Sequence, residues 1–232
     1  MAAFPLMLPG TSRPPKLVVF DLDHTLIACD ATILWTEFLY EKKIVTDPIW
    51  RQYDRDMVKS YAKGVLDIRD FCRKHAGAFR CIPEEKLHAL AQEFAKKKIA
   101  PLIFPDGKKW AKNALQANIP ACVLSASAAF IVKPIAKLFG LTDAMGIELA
   151  FKDGFCTGEI VGIPTFQEGK VERLSQRLAE AGIGFEDVLF FTDSRNDLPL
   201  AERAGYTVCV NPDAVLESAA RKNGWKVAEW KL

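Results

Sequence analysis

Short apolar runs alternate with amphipathic stretches along most of the chain. Four runs are continuously apolar and rich in β-branched or aromatic residues, which predicts strands buried on both faces. They cover residues 16–20, 119–124, 188–191 and 206–210. Apolar residues at three- and four-residue spacing predict helices over 106–117, 128–139, 170–181 and 197–204. This alternation predicts an α/β fold with a Rossmann-like parallel sheet core flanked by helices.

The segment from residue 30 to residue 104 departs from the alternation because its pattern is helical throughout. Helices are predicted over 33–42, 48–63, 67–75 and 84–98, and Pro101 and Pro105 end the segment. We therefore expect a helical cap domain of residues 30–104, inserted into a core domain of residues 1–29 and 105–232. A small β-hairpin is also predicted over 146–160, because two apolar runs flank Asp153-Gly154, a dipeptide typical of two-residue turns.

Composition narrows the classes of partner. Half of the 232 residues are hydrophobic, and 31 Lys and Arg against 29 Asp and Glu leave a formal net charge of +2. Lysine clusters at 96–98 and 108–109 are interpreted as solvated helix faces, so no nucleic acid partner is expected. No stretch approaches the roughly 20 apolar residues that span a bilayer. We therefore expect a soluble protein without a membrane partner.

The six cysteines lie far apart and form no CxxC pair. This spacing argues against a zinc site or a disulfide framework, and it favours a reducing, cytoplasmic location. The first 15 residues are interpreted as a loose leader, since no basic residue precedes their apolar patch as it would in a secretion signal. The sequence leaves the oligomeric state open, a homodimer included.

Two carboxylates directly follow the first predicted strand, in the run Phe20-Asp21-Leu22-Asp23. Side chains alternate along an extended chain, so Asp21 and Asp23 point to the same side. Two negative charges this close repel unless a cation or a proton lies between them, and a hard divalent ion is the natural solution. Turns also favour aspartate, but ligands of open α/β sheets bind beyond the carboxyl ends of the strands.

Three further polar groups follow other predicted strands or open helices. Ser125-Ala126-Ser127 stands before a helix, Lys170 begins another helix, and residues 192–197 carry Asp193 and Asp197. Each group has an ordinary structural explanation. Ser127 and Asp197 could be helix caps, and Lys170 an exposed lysine. Their order along the chain, after the paired aspartates, is what points to a shared site.

This order of motifs resembles the haloacid dehalogenase superfamily, in particular its phosphoserine-phosphatase-like branch (subfamily IB), in which a helical cap of the C1 type follows the first strand. The resemblance covers nearly the whole chain from Lys16 onward. The closing stretch, residues 210–225, resembles a bacterial subfamily of unassigned and histidinol-phosphate-type phosphatases.

The resemblance implies a Mg²⁺-dependent phosphatase that forms an aspartyl phosphate on Asp21. Asp23 would serve as acid and then as base, and Lys170 would neutralise charge on the transferring group. Mg²⁺ would be held by the Asp21 carboxylate, the Asp23 backbone carbonyl and Asp193. Ser125 and the Ala126 N–H would bind the phosphate. Asn196 and Asp197 would orient Lys170 and the metal waters, and Thr25 would brace the turn after Asp23.

The expected substrate is a small soluble phosphomonoester. Asp30 falls where phosphoserine phosphatases have a glutamate for the substrate amine, and His75 falls where they have an arginine for its carboxylate. Because a bidentate arginine is lost, an amino-alcohol or amino-acid phosphate such as histidinol phosphate is favoured over phosphoserine. An ordinary surface histidine is the alternative for His75. The alternative functions are a phosphoserine phosphatase, a phosphotransferase or mutase with the same intermediate, and a phospho-ligand-binding protein without activity.

Overall fold

The computed structural model describes residues 13–232, so most of the predicted leader before Lys16 lies outside the described residues. Eight strands are present in this range: β1 Leu17–Phe20, β2 Ala121–Ala128, β3 Asp143–Ile147, β4 Leu149–Lys152, β5 Phe155–Ile160, β6 Val188–Thr192, β7 Tyr206–Val210 and β8 Lys226–Ala228. The helices are α1 Ala31–Glu41, α2 Ile49–Ala62, α3 Ile68–His75, α4 Glu84–Phe94, α5 Pro105–Gln116, α6 Ala129–Ala136, α7 Glu168–Ala181, α8 Leu198–Ala201 and α9 Ala214–Asn223.

Six strands form one parallel sheet in the order β3-β2-β1-β6-β7-β8. Alternate residues of β1 join separate hydrophobic clusters on the two faces, Val18 and Phe20 on one and Leu17 and Val19 on the other. The strand order reverses at β1, which lies between β2 and β6. The predicted α/β fold is confirmed, and the carboxyl ends of β1, β2 and β6 meet where such sheets bind ligands.

Strand β2 is longer than predicted, because it continues through Ser125-Ala126-Ser127 to Ala128. A register shift against β3 lies between Leu124 and Ala128. Two strands were missed, β3 and β8. The first contains Asp143 and Gly146, and the second is three residues long, so neither shows an apolar run. The helix predicted over 197–204 is a 3₁₀ turn at 195–197 followed by the short α8.

Helices alone fill the segment between β1 and β2, as predicted. Their apolar faces are continuous with the core, since Trp35 of α1 packs against Phe94 of α4 at 5.4 Å and against Phe130 of α6 at 5.5 Å between ring centroids. The proposed domain boundaries at 29/30 and 104/105 therefore stay a prediction.

The predicted hairpin is formed by β4 and β5. Asp153 and Gly154 both have positive φ, 51° and 79°, as a two-residue type I′ turn requires. The hairpin packs against α3 so closely that a Cβ at Gly158 would lie 2.9 Å from the carbonyl oxygen of Cys72. Among residues 13–232, no helix has the length and apolarity to cross a membrane.

Candidate active site

Lys170 is the centre of a buried charge cluster. Its Nζ lies 2.7 Å from Asp21 Oδ1 and 2.7 Å from Asp197 Oδ1. Lys170 Nζ and Thr192 Oγ1 both donate to Asp197 Oδ2, at 2.8 Å and 2.7 Å, which fixes that carboxylate. Only 1% of Lys170 is exposed, so the alternative of a solvated lysine is wrong. The predicted contact between Asp197 and Lys170 is present.

A tight turn places Lys170 in the first turn of α7. A Cβ on Gly169 would lie 1.9 Å from the carbonyl oxygen of Pro164, so only glycine fits there. The side chain that follows is thereby directed under the carboxyl end of β1. This local requirement explains why Gly169 precedes the lysine in the sequence.

The cluster holds more negative than positive charge. Burial raises the pKa of Asp21 although Lys170 opposes the rise, and burial raises the pKa of Asp197 to about 6. Burial and the charges of Asp21 and Asp197 raise the pKa of Asp193 well above its ordinary value. Burial lowers the pKa of Lys170, but the charges of Asp197 and Asp21 more than offset this and leave it raised. One lysine does not balance the carboxylates of Asp21, Asp193 and Asp197, so a bound cation would relieve the remaining repulsion.

Both side-chain oxygens of Asp23 are held by hydrogen bonds. Its Oδ1 accepts from the Ala31 N–H at 2.6 Å, and its Oδ2 accepts from Ser127 Oγ at 2.8 Å and Ser125 Oγ at 3.3 Å. Burial, and then the charge of Asp30, raise the pKa of Asp23 to about 6. A carboxyl group with this pKa can donate a proton near neutral pH.

Ser127 belongs to the site, which the sequence did not reveal. The N-cap of α6 is Ala128, so the suggestion that Ser127 caps a helix is wrong. The Ser127 N–H donates to Ser125 Oγ at 3.0 Å, and the Ser127 hydroxyl also lies 3.1 Å from Thr32 Oγ1 of the cap. A Ser-x-Ser run in a strand places both hydroxyls on one face, and this was the available signal.

Thr25 and Asn196 both contact other residues of the site. Thr25 Oγ1 donates to Asp193 Oδ1 at 3.2 Å. Asn196 donates from Nδ2 to the Tyr61 carbonyl at 3.0 Å and accepts from Gln167 at 3.1 Å. Its predicted part in orienting Lys170 and the metal waters stays a prediction. Because Tyr61 lies on α2, Asn196 connects the sheet to the cap.

A cleft of about 180 Å³ lies between the sheet and the cap. Its floor carries acidic and small side chains, including Asp21, Asp23, Asp30, Asp193, Ala126 and Ser127, and His24 and Thr32 also line the cleft. Its roof is largely apolar and includes Ile33, Met57, Val58, Tyr61, Leu66, Ile68 and Phe71. Within residues 13–232, no arginine or lysine lines the cleft.

The comparisons with known proteins agree with this geometry. A model of the haloacid dehalogenase-like hydrolase family matches residues 18–202. The chain belongs to this family. A histidinol-phosphatase of Neisseria meningitidis serogroup C is 35% identical to this hydrolase over 220 residues, which cover 93% of the chain and 99% of the relative. The resemblance inferred from the motifs is confirmed, and the chain is a phosphatase of the phosphoric monoester hydrolase class.

Solved structures support the same assignment of the fold. A Bordetella pertussis Tohama I protein of unknown function superimposes on this hydrolase with a TM-score of 0.82 and 32% identity, covering 91% of this chain and 96% of the other. A structure described as a phospho-aspartyl intermediate analogue of phosphoserine phosphatase gives a TM-score of 0.67 at 22% identity, with 93% of each chain covered.

Asp30 and His75, the two predicted substrate ligands of the hydrolase, have different surroundings. Asp30 lines the cleft and caps α1, accepting from the Ile33 N–H at 2.9 Å, and burial raises its pKa to about 6. His75 does not line the cleft. It borders a small adjoining cavity, stacks on Phe71 at 5.1 Å between ring centroids and is 6% exposed. His75 is therefore not a surface histidine. Because it does not line the cleft, its position does not support direct contact with a substrate.

No three His, Cys, Asp or Glu side chains within residues 13–232 converge as a preformed metal site. Both oxygens of the Asp23 carboxylate are already occupied by hydrogen bonds. A cation in the cleft of this hydrolase would thus have to use the carboxylates of Asp21 and Asp193, backbone carbonyl groups and water. Such an oxygen donor set suits Mg²⁺.

Proposed function

We propose that this hydrolase cleaves a small amino-alcohol phosphate by in-line attack of the Asp21 carboxylate on phosphorus. The observation that carries the proposal is the buried Lys170 ammonium, which lies 2.7 Å from Oδ1 of Asp21, a residue of the cleft floor. Its charge lowers the pKa of Asp21 against the larger effect of burial, and it lies beside the carboxylate that would accept the phosphoryl group.

The first step forms a bond between an Asp21 oxygen and phosphorus and breaks the bond between phosphorus and the ester oxygen. Asp23 gives its proton to the departing alkoxide, so a neutral alcohol leaves. In the second step Asp23 takes a proton from water, whose oxygen attacks phosphorus and frees the Asp21 carboxylate. The hydrogen bonds from Ala31, Ser125 and Ser127 support this role because they fix the Asp23 carboxyl group.

The proposed cofactor is Mg²⁺, held by the Asp21 and Asp193 carboxylates and the Asp23 backbone carbonyl. The excess of buried negative charge and the oxygen donor set support it. A bound Mg²⁺ supplies charge neutralisation at the phosphoryl oxygens. Thr25 would orient Asp193 through its hydrogen bond at 3.2 Å. Ser125 and the Ala126 N–H are the proposed phosphate ligands.

The proposed substrate carries an amine and lacks a carboxylate. Asp30 is the acidic group in the cleft that is free of a proposed catalytic or metal-binding role, and the roof is apolar. A substrate carboxylate such as that of phosphoserine would meet no arginine or lysine in the described cleft lining. The name of the Neisseria meningitidis relative, a histidinol-phosphatase, supports the same class of substrate.

A panel of phosphomonoesters tests this proposal. Phosphate release is measured for histidinol phosphate, phosphoethanolamine and phosphoserine, with Mg²⁺ or with EDTA. We expect release that requires Mg²⁺, with kcat/KM for the carboxylate-free amines about tenfold or more above that for phosphoserine. A preference for phosphoserine would contradict the substrate assignment. Phosphate passed to added glycerol would indicate a phosphotransferase, and binding without turnover would indicate a ligand-binding protein.

A further inference from the structure

Three polar residues meet inside the cap, away from the cleft. His75 of α3 has its Nε2 3.0 Å from Thr36 Oγ1 of α1 and 3.6 Å from Asp54 Oδ1 of α2. All three are buried, with exposures of 6% for His75, 4% for Asp54 and 0% for Thr36. We call these three residues the cap cluster. It joins three of the four cap helices at one point.

The cap cluster is costly for a group with only a packing role. Among residues 13–232, no donor meets either carboxylate oxygen of Asp54 in full hydrogen-bond geometry, although the nearby Thr36 hydroxyl lowers the pKa of Asp54. His75 Nε2 lies 3.6 Å from Asp54 Oδ1, and burial lowers the pKa of this histidine to about 4. Leaving a buried carboxyl group unsatisfied destabilises a fold, whereas apolar residues of similar size would pack at no such cost. Because the cap cluster is present in spite of this cost, we interpret it as a group that sets one arrangement of the cap helices.

The helix that the cluster holds leads directly to Asp23. Thr36 lies one turn after Thr32 on the same face of α1, and its Oγ1 donates to the Thr32 carbonyl at 3.4 Å. The Thr32 hydroxyl contacts Ser127 Oγ at 3.1 Å, and Ser127 Oγ donates to Asp23 Oδ2 at 2.8 Å.

The first turn of the same helix also contacts Asp23. The Ala31 N–H donates to Asp23 Oδ1 at 2.6 Å. Both oxygens of the Asp23 carboxyl group therefore depend on where α1 begins. The cap cluster fixes α1 one turn further along.

We infer that His75, Thr36 and Asp54 are positioning residues, which hold α1 so that the Asp23 carboxyl group is aimed at the leaving oxygen. The inference rests on the proposed role of Asp23 as the acid. It gives His75 a part in catalysis that does not require contact with substrate, in accord with its absence from the cleft.

The dependence of kcat/KM on the leaving group tests the inference. Leaving phenolates of low pKa need no proton, whereas alkoxides do, so a displaced acid slows alkyl phosphates selectively. The substrates are a series from nitrophenyl phosphate to alkyl phosphates, all with Mg²⁺. The variants are Thr36→Val, which removes the hydroxyl at nearly constant volume, His75→Ala, and His75→Gln, which restores a hydrogen-bonding group near Nε2.

We expect Thr36→Val and His75→Ala to lower kcat/KM for alkyl phosphates about tenfold and for nitrophenyl phosphate less than about twofold. His75→Gln should recover part of the loss. Cys72→Ala is the matched control, because Cys72 is buried one turn before His75 on α3 and has no polar link to α1. It should lower the Tm without changing the leaving-group dependence.

Asp23→Asn separates this inference from the proposed function. It should show the same selective loss at larger size, about 10²-fold or more for alkyl phosphates. If it does and Thr36→Val slows all substrates equally or none, the positioning inference is wrong. If Asp23→Asn itself shows no selectivity, the acid is misassigned, and the inference that depends on it is overturned as well.

Discussion

The floor and the roof of the cleft are built by opposite means. The floor carries acidic side chains, among them Asp21, and Lys170 is buried outside the cleft lining between Asp21 and Asp197. The roof uses apolar side chains from cap helices, such as Met57, Ile68 and Phe71. The difference separates two tasks. In the proposed function, the charged groups at the sheet serve the chemistry and the apolar surface of the cap serves the choice of substrate.

Replacing Lys170 should have the largest effect, because it removes the cation that lies between the buried carboxylates of Asp21 and Asp197. In Lys170→Met two buried carboxylates lose their cation, so the free energy of unfolding should fall by about 3–5 kcal/mol at neutral pH. Phosphate release should fall by at least about 10³-fold. Denaturant titration and an activity assay measure these changes.

Lys133→Met is the matched control for that experiment. Lys133 pairs with Glu148 at 2.7 Å, but its side chain is 52% exposed. Its loss should change the free energy of unfolding by less than about 1 kcal/mol. If Lys170→Met and Lys133→Met lower the free energy of unfolding by similar amounts, the buried ion pairs of Lys170 contribute no more to stability than an exposed pair, and the prediction is wrong.

A second prediction concerns the pH dependence of stability that arises from His75 and Asp54 of the cap cluster. Burial lowers the pKa of His75 to about 4, below its ordinary 6.5, so this residue costs stability as pH falls from 6.5 to about 4. Burial raises the pKa of Asp54 from 3.8 to about 6, so this residue costs stability as pH rises from 3.8 to about 6. The two effects have opposite signs and largely cancel in the wild type.

Removing one partner exposes the effect of the other. Relative to wild type, Asp54→Asn should lose unfolding free energy as pH is lowered from 6.5 to 4, and His75→Gln should lose it as pH is raised from 4 to 6. Each change should be about 2–3 kcal/mol, at roughly 1.4 kcal/mol per pKa unit. Urea titrations across this range provide the measurement. If the free energy of unfolding depends on pH in the same way for wild type, Asp54→Asn and His75→Gln, neither group titrates with a pKa shifted by burial, and the prediction is wrong.

A third, smaller effect should come from adding a cation to the roof. Ile68→Arg places a guanidinium at the cleft, where it can pair with a substrate carboxylate. We expect kcat/KM for phosphoserine to rise about tenfold relative to that for phosphoethanolamine. Val65→Arg is the control, since Val65 is 71% exposed and does not line the cleft. An equal shift in both variants would show that general electrostatic attraction, and not the roof, selects the substrate.

Sequence patterns predicted the floor better than the roof. Buried strands such as β1 and β6 are short apolar runs followed by aspartates, so the positions of Asp21 and Asp193 could be inferred from the sequence. The extension of β2 was missed because the Ser-Ala-Ser-Ala run that forms it has no apolar pattern. The hydrogen bond from Asn196 to a carbonyl of α2 was also not predicted, because no local pattern encodes a contact between such distant segments.

His75 shows the same limit in the cap. Its position along the chain suggested a substrate ligand or a surface residue. The packing of α1, α2 and α3 buries it instead between Thr36 and Asp54. The burial of a polar residue depends on how helices pack in three dimensions, which the spacing of apolar residues along one helix does not determine.

Trapping of the covalent intermediate tests the central claim most directly. The enzyme is quenched in acid during turnover of its best substrate with Mg²⁺, and the peptide that contains Asp21 is analysed by mass spectrometry. The account predicts a phosphoryl adduct on Asp21 that is absent from Asp21→Asn and from samples with EDTA. Steady phosphate release without this adduct, or turnover by folded Asp21→Asn at the wild-type rate, would contradict it.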